Sequence, residues 1–402
     1  MSVIRGKHIL LGVTGSIAAF KAADLASKLT QMSAQVDGIL TPAAEKFITP
    51  LTMQSVTGRK AYTESDLWGG EAHVLHVGLG KSADLLVIAP CTANTISKLA
   101  QGAADNLLTI TALAAQCPLL IAPSMDGGMF DHPATQENLA ILTKRGAYIA
   151  GPAEGHLASG LSGIGRLLEP LELLGHIRLV LGRRGRLAAK KVLITAGGTH
   201  EPLDPVRVLT NRSSGKQGYA VAQAALDAGA DVTLITTPTA LTAPVGANIV
   251  RVETAKEMLD AVLSESSDAD ALIMAAAIAD FRPKQAAGNK LKKRDGIPQI
   301  ELEATQDILE AVASQKSGKK RLRVTVGFAA ESRDLLENAG EKLKSKHLDF
   351  IVANDISAKD AGFSVETNRV TFLFADGEKE SLPLMSKTEA AEAIIEHVAA
   401  LL

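Results

Sequence analysis

The chain has 402 residues with a formal charge of −2, and 46% of them are hydrophobic but only 3% aromatic. That length predicts two or three domains with aliphatic cores, and the near-neutral charge gives no electrostatic ground for nucleic acid or an anionic membrane as partner. Two cysteines, Cys91 and Cys117, are too few for a disulfide framework and suit a reducing compartment such as the cytoplasm. Met1 to Lys7 does not read as a signal peptide. Lys, Asp or Gly interrupts every apolar run before it reaches membrane-spanning length.

In chain order, His8 to Val13 reads as a buried strand, Ala18 to Met32 as a helix and Gln35 to Leu40 as a second strand. Leu85 to Ala89 and Pro118 to Ala122 are further strands, with helices over Ala93 to Gln101 and Leu107 to Ala115. Continuous rather than alternating apolar runs fit parallel strands covered on both faces. The junction Gly182-Arg183-Arg184-Gly185-Arg186-Leu187 precedes a fresh start at Lys191. Val192 to Ala196, Val232 to Thr236, Ala271 to Ala275, Thr325 to Phe328 and Phe350 to Val352 then read as central strands. Arg369 to Phe374 and Lys379 to Pro383 flank Asp376-Gly377 as an edge hairpin. The expected fold is α/β, with two doubly wound Rossmann-like domains at 1–187 and 188–402 that are not sequence repeats of each other.

Val192-Leu193-Ile194-Thr195-Ala196-Gly197-Gly198-Thr199 leads to Val208-Leu209-Thr210-Asn211-Arg212-Ser213-Ser214-Gly215-Lys216-Gln217-Gly218-Tyr219. It reads as a strand, a polar loop and a helix N-terminus beginning near Gly218. Free N–H groups and small glycines there let a phosphate approach. The spacing matches neither a P-loop nor GxGxxG, so the motif by itself says nucleotide or phosphate. In its full wording it resembles the phosphopantothenate–cysteine ligase half of the bifunctional coenzyme A biosynthesis family, from about Lys191 to the C-terminus. The resemblance implies that Asn211 serves an acyl-nucleotide intermediate, with Arg207 just before it. It places Ala275, Ala276 and Asp280, in Ala275-Ala276-Ala277-Ile278-Ala279-Asp280, beside the triphosphate, with Asp280 by Mg2+. An exposed Asp capping the next segment is the plain reading of that residue. Lys290-Leu291-Lys292-Lys293-Arg294 would otherwise be a solvated basic loop. The resemblance makes it a mobile loop whose Lys290 stabilises charge during attack by the cysteine amine. Phe328, Lys342 and Lys346 are carried over for cytidine, with Ala353-Asn354-Asp355 beside them, and the two lysines are spaced to share a helix face.

In the first half, Gly12-Val13-Thr14-Gly15-Ser16-Ile17-Ala18 is a strand-to-helix turn able to hold a phosphate. Pro90-Cys91-Thr92-Ala93-Asn94-Thr95 and Pro123-Ser124-Met125-Asp126-Gly127-Gly128-Met129-Phe130 follow strand ends, where ligands bind in open sheets. These segments resemble flavin-containing cysteine decarboxylases over about residues 7 to 180, which implies a flavodoxin-like flavoprotein domain. Gly15, Ser16, Thr41, Thr92 and Asn94 are then FMN contacts, and Met125 and Asp126 substrate contacts. A lone histidine is ordinarily a solvated residue, the only reading for His73; the resemblance makes His76 a base or substrate-positioning group. Two positions depart from the family pattern. Asp126 stands where asparagine is usual, and an ionised carboxylate there repels a substrate carboxylate unless burial raises its pKa. Ser159, in Gly155-His156-Leu157-Ala158-Ser159-Gly160, stands where a proton-donating cysteine is usual and is the weaker acid.

The resemblance thus implies a cytoplasmic bifunctional enzyme. Its C-terminal half would join 4'-phosphopantothenate to cysteine with CTP, through acyl-CMP. Its N-terminal half would decarboxylate 4'-phosphopantothenoylcysteine with FMN, giving 4'-phosphopantetheine. Family trimers through the flavin domain and dimers through the ligase domain would close into a homo-oligomeric dodecamer. The alternatives are a ligase whose flavin-binding domain has lost or altered decarboxylation, and a regulatory flavin-binding module.

Overall fold

Leu85 to Cys91 is buried along its whole length, as a central parallel strand must be when helices cover both faces. In the computed structural model, which describes residues 3–68, 74–293, 296–314, 322–331, 335–355 and 367–402, this segment lies at the middle of a six-stranded sheet. The strands are β1 (His8–Val13), β2 (Gln35–Leu40), β3 (Ala61–Tyr62), β4 (Leu85–Cys91), β5 (Leu119–Pro123) and β6 (Tyr148–Ile149). They are parallel and ordered β3-β2-β1-β4-β5-β6, so the winding direction reverses between β1 and β4. Alternate side chains feed two cores, Leu11, Val13 and Val87 on one face and Leu10, Ile88 and Ile121 on the other. An antiparallel hairpin, β7 (Ala153–His156) and β8 (Ser162–Arg166), follows.

Pro90 cannot donate to a sheet ladder, and the β4–β5 register shifts between Ile88 and Cys91 to accommodate it. The freed Pro90 carbonyl accepts from the Thr14 N–H (3.3 Å) and hydroxyl (2.8 Å), and the Thr14 hydroxyl oxygen accepts from the Thr92 N–H at 3.0 Å. The ends of β1 and β4 are thereby tied at the point of reversal.

The second unit has β9 (Lys191–Ala196), β10 (His200–Pro202), β11 (Val208–Thr210), β12 (Asp231–Thr236), β13 (Asn248–Arg251), β14 (Ala271–Met274), β15 (Phe281–Pro283), β16 (Leu302–Ala304), β17 (Val324–Glu331), β18 (Phe350–Asp355), β19 (Thr367–Asn368), β20 (Val370–Phe374) and β21 (Lys379–Ser381). Its main sheet is ordered β13-β12-β9-β14-β17-β18-β20-β21, parallel as far as β18 and antiparallel beyond. The β20–β21 edge hairpin is where the sequence predicts it. The reversal point lies between β9 and β14. The chain divides into compact units Ser2–Gly182 and Arg183–Leu402, and Leu187 is fully buried, its N–H donating to Ala228 at 2.8 Å.

Two expectations need correction. The polar loop before the helix contains an antiparallel ribbon, β10 with β11; the helix itself starts at Lys216, near Gly218 as expected. The cores are not wholly aliphatic, because Phe350, Phe372, Phe374 and His397 stack together with ring centroids 4.8 to 6.3 Å apart.

Candidate active sites

At the β9–β14 reversal, the two strand ends interlock. Ala277 donates its N–H to the Gly197 carbonyl at 2.8 Å, and the Ala276 and Ala279 N–H groups bond the hydroxyls of Thr195 (3.1 Å) and Thr199 (3.0 Å). Gly197 has φ +89°, and a Cβ there would stand 2.0 Å from the Thr237 hydroxyl, so only glycine fits. Above these loops opens a cleft of about 390 Å³ lined by Asn211, Ala275, Ala276, Asp280, Phe328 and Lys342, all singled out from sequence. The Asn211 amide donates to the Ile278 carbonyl at 2.9 Å, and Lys342 Nζ donates to the Phe328 carbonyl at 2.9 Å. The helix Lys216–Asp227 has no side-chain cap, and a helix N-terminus favours an anion.

Three expected residues lie outside this cleft. Arg207 pairs with Asp204 (3.1 Å) and donates to the Leu291 carbonyl (3.2 Å). Lys290 is exposed, and the next peptide is held from both sides because the Leu291 N–H donates to Asp204 at 3.1 Å. Lys346 directly follows the helix Leu335–Ser345, one turn on from Lys342 with its N–H on the Lys342 carbonyl at 3.1 Å, and its side chain pairs with Asp307 (3.1 Å) and Glu310 (3.3 Å). Arg294 lies outside the described residues.

The cleft also holds residues that sequence reasoning missed, among them Asp307, Asn368 and Lys387. Lys387 is buried at the first position of the helix Lys387–Leu401. A cation at a helix N-terminus is electrostatically unfavourable, so the run Ser386-Lys387-Thr388-Glu389, a capping box with a lysine inside it, was the available signal. The side-chain oxygens of Asn354 and Asn368 are buried without a hydrogen-bond partner among the described residues. Such acceptors cost stability unless something donates to them.

The first unit has its own cleft of about 340 Å³ beside the ends of β1 and β5, lined by Ser16, Met125, Asp126 and Ser159 together with Lys21, Ser124, His156 and Arg166. Ser16 caps the turn Ile17–Ala19 and its hydroxyl lies 3.1 Å from that of Ser124. Gly15, Thr41, Thr92 and Asn94 do not line it, but lie along neighbouring strand ends. Thr41 donates its N–H to the Val13 carbonyl at 3.1 Å, and the helix Ala93–Gln101 after Thr92 has no side-chain cap. Hydroxyls, an amide and uncapped helix N–H groups suit a phosphorylated polar ring system. Lys21, missed from sequence, bonds the Leu167 carbonyl and Glu169, each at 3.0 Å.

The two departures from the family pattern meet here. The Ser159 hydroxyl donates to Asp126 Oδ2 at 2.7 Å, while Asp126 Oδ1 accepts the Gly128 N–H at 3.0 Å. Ser159 and Gly128 together hold the Asp126 carboxyl below the usual carboxylate range, outweighing the smaller upward effect of desolvation. Cys91 is no substitute thiol acid, because burial pushes its pKa up. His76, on the helix Leu75–Ser82, does not line the cleft of its own chain, and His73 lies outside the described residues.

The chain matches two family models, "Flavoprotein" over residues 2–180 and "DNA/pantothenate metabolism flavoprotein C-terminal domain" over residues 187–402. It is 44% identical over 402 residues to the coenzyme A biosynthesis bifunctional protein CoaBC of Bacillus subtilis strain 168, covering 99% of this chain and 98% of that one. A crystal structure of the C-terminal domain of a CoaBC protein is 40% identical, covering 54% of this chain and 97% of that one, with a TM-score of 0.46. A PPC decarboxylase variant complexed with pantothenoylaminoethenethiol is 35% identical, covering 44% and 98% respectively, with a TM-score of 0.41.

Proposed function

This chain belongs to the bifunctional coenzyme A biosynthesis family, and from that premise we propose how its two clefts divide the two activities, ligase and decarboxylase. The second unit joins 4'-phosphopantothenate to cysteine. The observation that carries this is the gathering of Asn211, Ala275, Ala276, Asp280, Phe328 and Lys342 around one cleft at a strand-order reversal. A carboxylate is a poor electrophile, so it is first activated by CTP to an acyl-CMP with release of pyrophosphate. The uncapped helix at Lys216 and the small residues Ala275 and Ala276 accommodate the triphosphate. Asp280 would hold Mg2+ with phosphate oxygens, the coordination that ion favours. The unpartnered oxygens of Asn354 and Asn368 suit an exocyclic amino group such as that of cytosine. Lys290 enters from its loop for the aminolysis step.

The first unit decarboxylates the product, 4'-phosphopantothenoylcysteine. Gly15, Ser16, Thr41, Thr92 and Asn94 would hold FMN, which when bound supplies the oxidation of the thiol and the later reduction. Met125 and Asp126 receive the substrate, and the β7–β8 hairpin with Ser159 covers it. Because His76 stands outside its own chain's cleft, we assign it to the cleft of a neighbouring copy in a homo-oligomer. Among the described residues no helix is long and apolar enough to cross a membrane, and a cytoplasmic setting fits both reactions. The test is to supply 4'-phosphopantothenate, cysteine and CTP to the purified protein and follow pyrophosphate and CO2 separately. Both should appear; pyrophosphate without CO2 would leave a ligase joined to a flavin-binding domain without decarboxylase activity.

A further inference from the structure

We propose that Asp126 and Ser159 form a proton relay for the decarboxylation: Asp126 takes up a proton when the substrate carboxylate arrives, and Ser159 passes a proton to the carbon that has lost CO2. The proposal rests on the decarboxylase reading of this cleft.

Loss of CO2 breaks a carbon–carbon bond and leaves its electron pair on the substrate carbon, where a carbon–hydrogen bond must form. The two electrons removed from the thiol are returned at the end, so the net change is one carboxylate exchanged for one proton. A serine hydroxyl alone is a poor source of that proton. This serine is not alone, since its oxygen lies 2.7 Å from Asp126 Oδ2. The hairpin that carries it is seated on the same segment. Met125 donates its N–H to the Gly165 carbonyl at 3.0 Å, and a Cβ at Gly165 would come within 2.2 Å of the Met125 carbonyl oxygen. The tip is closed by Leu157 and Leu161, with a backbone bond of 2.8 Å.

In the free protein Asp126 is ionised and accepts the serine proton. A substrate carboxylate placed beside it adds a second negative charge at close range, and two such carboxylates do not both stay ionised. Once Asp126 is protonated the hydrogen bond reverses. The carboxylic acid now donates to Ser159 Oγ, and the serine proton turns toward the substrate. Transfer to carbon then moves the Asp126 proton onto Ser159 and restores the carboxylate. The other titratable groups lining this cleft are Lys21, His156 and Arg166. Lys21 and Arg166 are both tied to Glu169, which leaves His156 as the competing acceptor for a proton.

Calorimetric titration in two buffers of different ionisation heat measures that proton directly. The probe is 4'-phosphopantothenoylserine, whose hydroxyl is not oxidised as the thiol is, added to the flavin-loaded full-length protein near neutral pH. Native protein and His156→Gln should each take up about one proton per ligand bound, and Asp126→Asn none. Binding without uptake, or uptake that survives Asp126→Asn, overturns the relay and leaves the decarboxylase reading intact. A native protein that binds no probe removes both. With the authentic substrate in a single turnover, Asp126→Asn should release CO2 yet form the reduced product about a hundredfold more slowly. Asp126→Asn combined with Ser159→Cys should recover product formation, because a thiol donates its own proton. A double variant no faster than Asp126→Asn would contradict the relay, since it would mean that Asp126 acts by structure alone.

Discussion

Asn211 reaches across the second cleft to donate its amide to the Ile278 carbonyl at 2.9 Å, and also lies 3.4 Å from the Ala277 carbonyl. Asn211→Asp would set a carboxylate against those carbonyl oxygens and beside an anionic substrate and triphosphate. It should abolish acyl-CMP formation, with a loss of about a hundredfold or more. Lys290 is placed differently. It is exposed, on a loop fastened at Leu291 by Asp204 and Arg207, and on the proposal above its charge serves the aminolysis that follows activation. Lys290→Gln should therefore let acyl-CMP accumulate. Mass spectrometry of quenched reactions distinguishes the two variants, and equal loss of acyl-CMP in both would show these roles to be misassigned.

Away from the sites, β1 and β2 are joined by a buried ionic cluster. Asp37, almost wholly buried, accepts from His8 Nε2 at 2.7 Å and from Arg59 at 2.7 and 3.0 Å. Removing the carboxylate takes away the acceptor that His8 and Arg59 share, so Asp37→Ala should cost about 2 kcal/mol in chemical denaturation. The hydrogen bond to Asp37 raises the His8 pKa above its ordinary 6.5. Its contribution is therefore complete below that value and is lost as pH rises through the higher folded-state value. His8→Asn should destabilise the protein more at about pH 5.5 than at about pH 8.5; an equal effect at both would mean that His8 does not titrate with folding. Elements of this kind set how much the sequence discloses. Long apolar runs such as Leu85 to Cys91 and Val192 to Ala196 announce central strands, because only two-sided burial needs them. β10, β11 and β13 have no such run, and apart from the buried Glu201 of β10 they are exposed or half-buried, so nothing in their local pattern distinguishes them from loop. The same holds for the sites. Gly15, Ser16 and Asn211 sit in local motifs, whereas Asp307, Asn368 and Lys387 meet in the cleft only because distant strands of the sheet bring them there. The Ser159–Asp126 bond spans 33 positions and is legible only once the hairpin is folded back on β5.

At the scale of the whole molecule, the second unit places its cleft where the strand order of its sheet reverses, and the first unit's cleft opens beside the ends of β1 and β5. The first cleft does not include the His76 of its own chain. If a neighbouring copy supplies it, co-expressing His76→Asn with Asp126→Ala should give mixed oligomers that form the reduced product, although each variant alone forms little. A mixture as inactive as its parts would place His76 in its own chain's cleft after all. The division of labour between the two units is tested most directly by following pyrophosphate, 4'-phosphopantothenoylcysteine and CO2 together in His76→Asn and Asn211→Asp supplied with 4'-phosphopantothenate, cysteine and CTP. His76→Asn should release pyrophosphate and accumulate 4'-phosphopantothenoylcysteine with no CO2, while Asn211→Asp should release CO2 only when 4'-phosphopantothenoylcysteine is added from outside. Loss of pyrophosphate release in His76→Asn, or CO2 from Asn211→Asp without the added compound, would contradict the assignment of the two reactions to separate clefts.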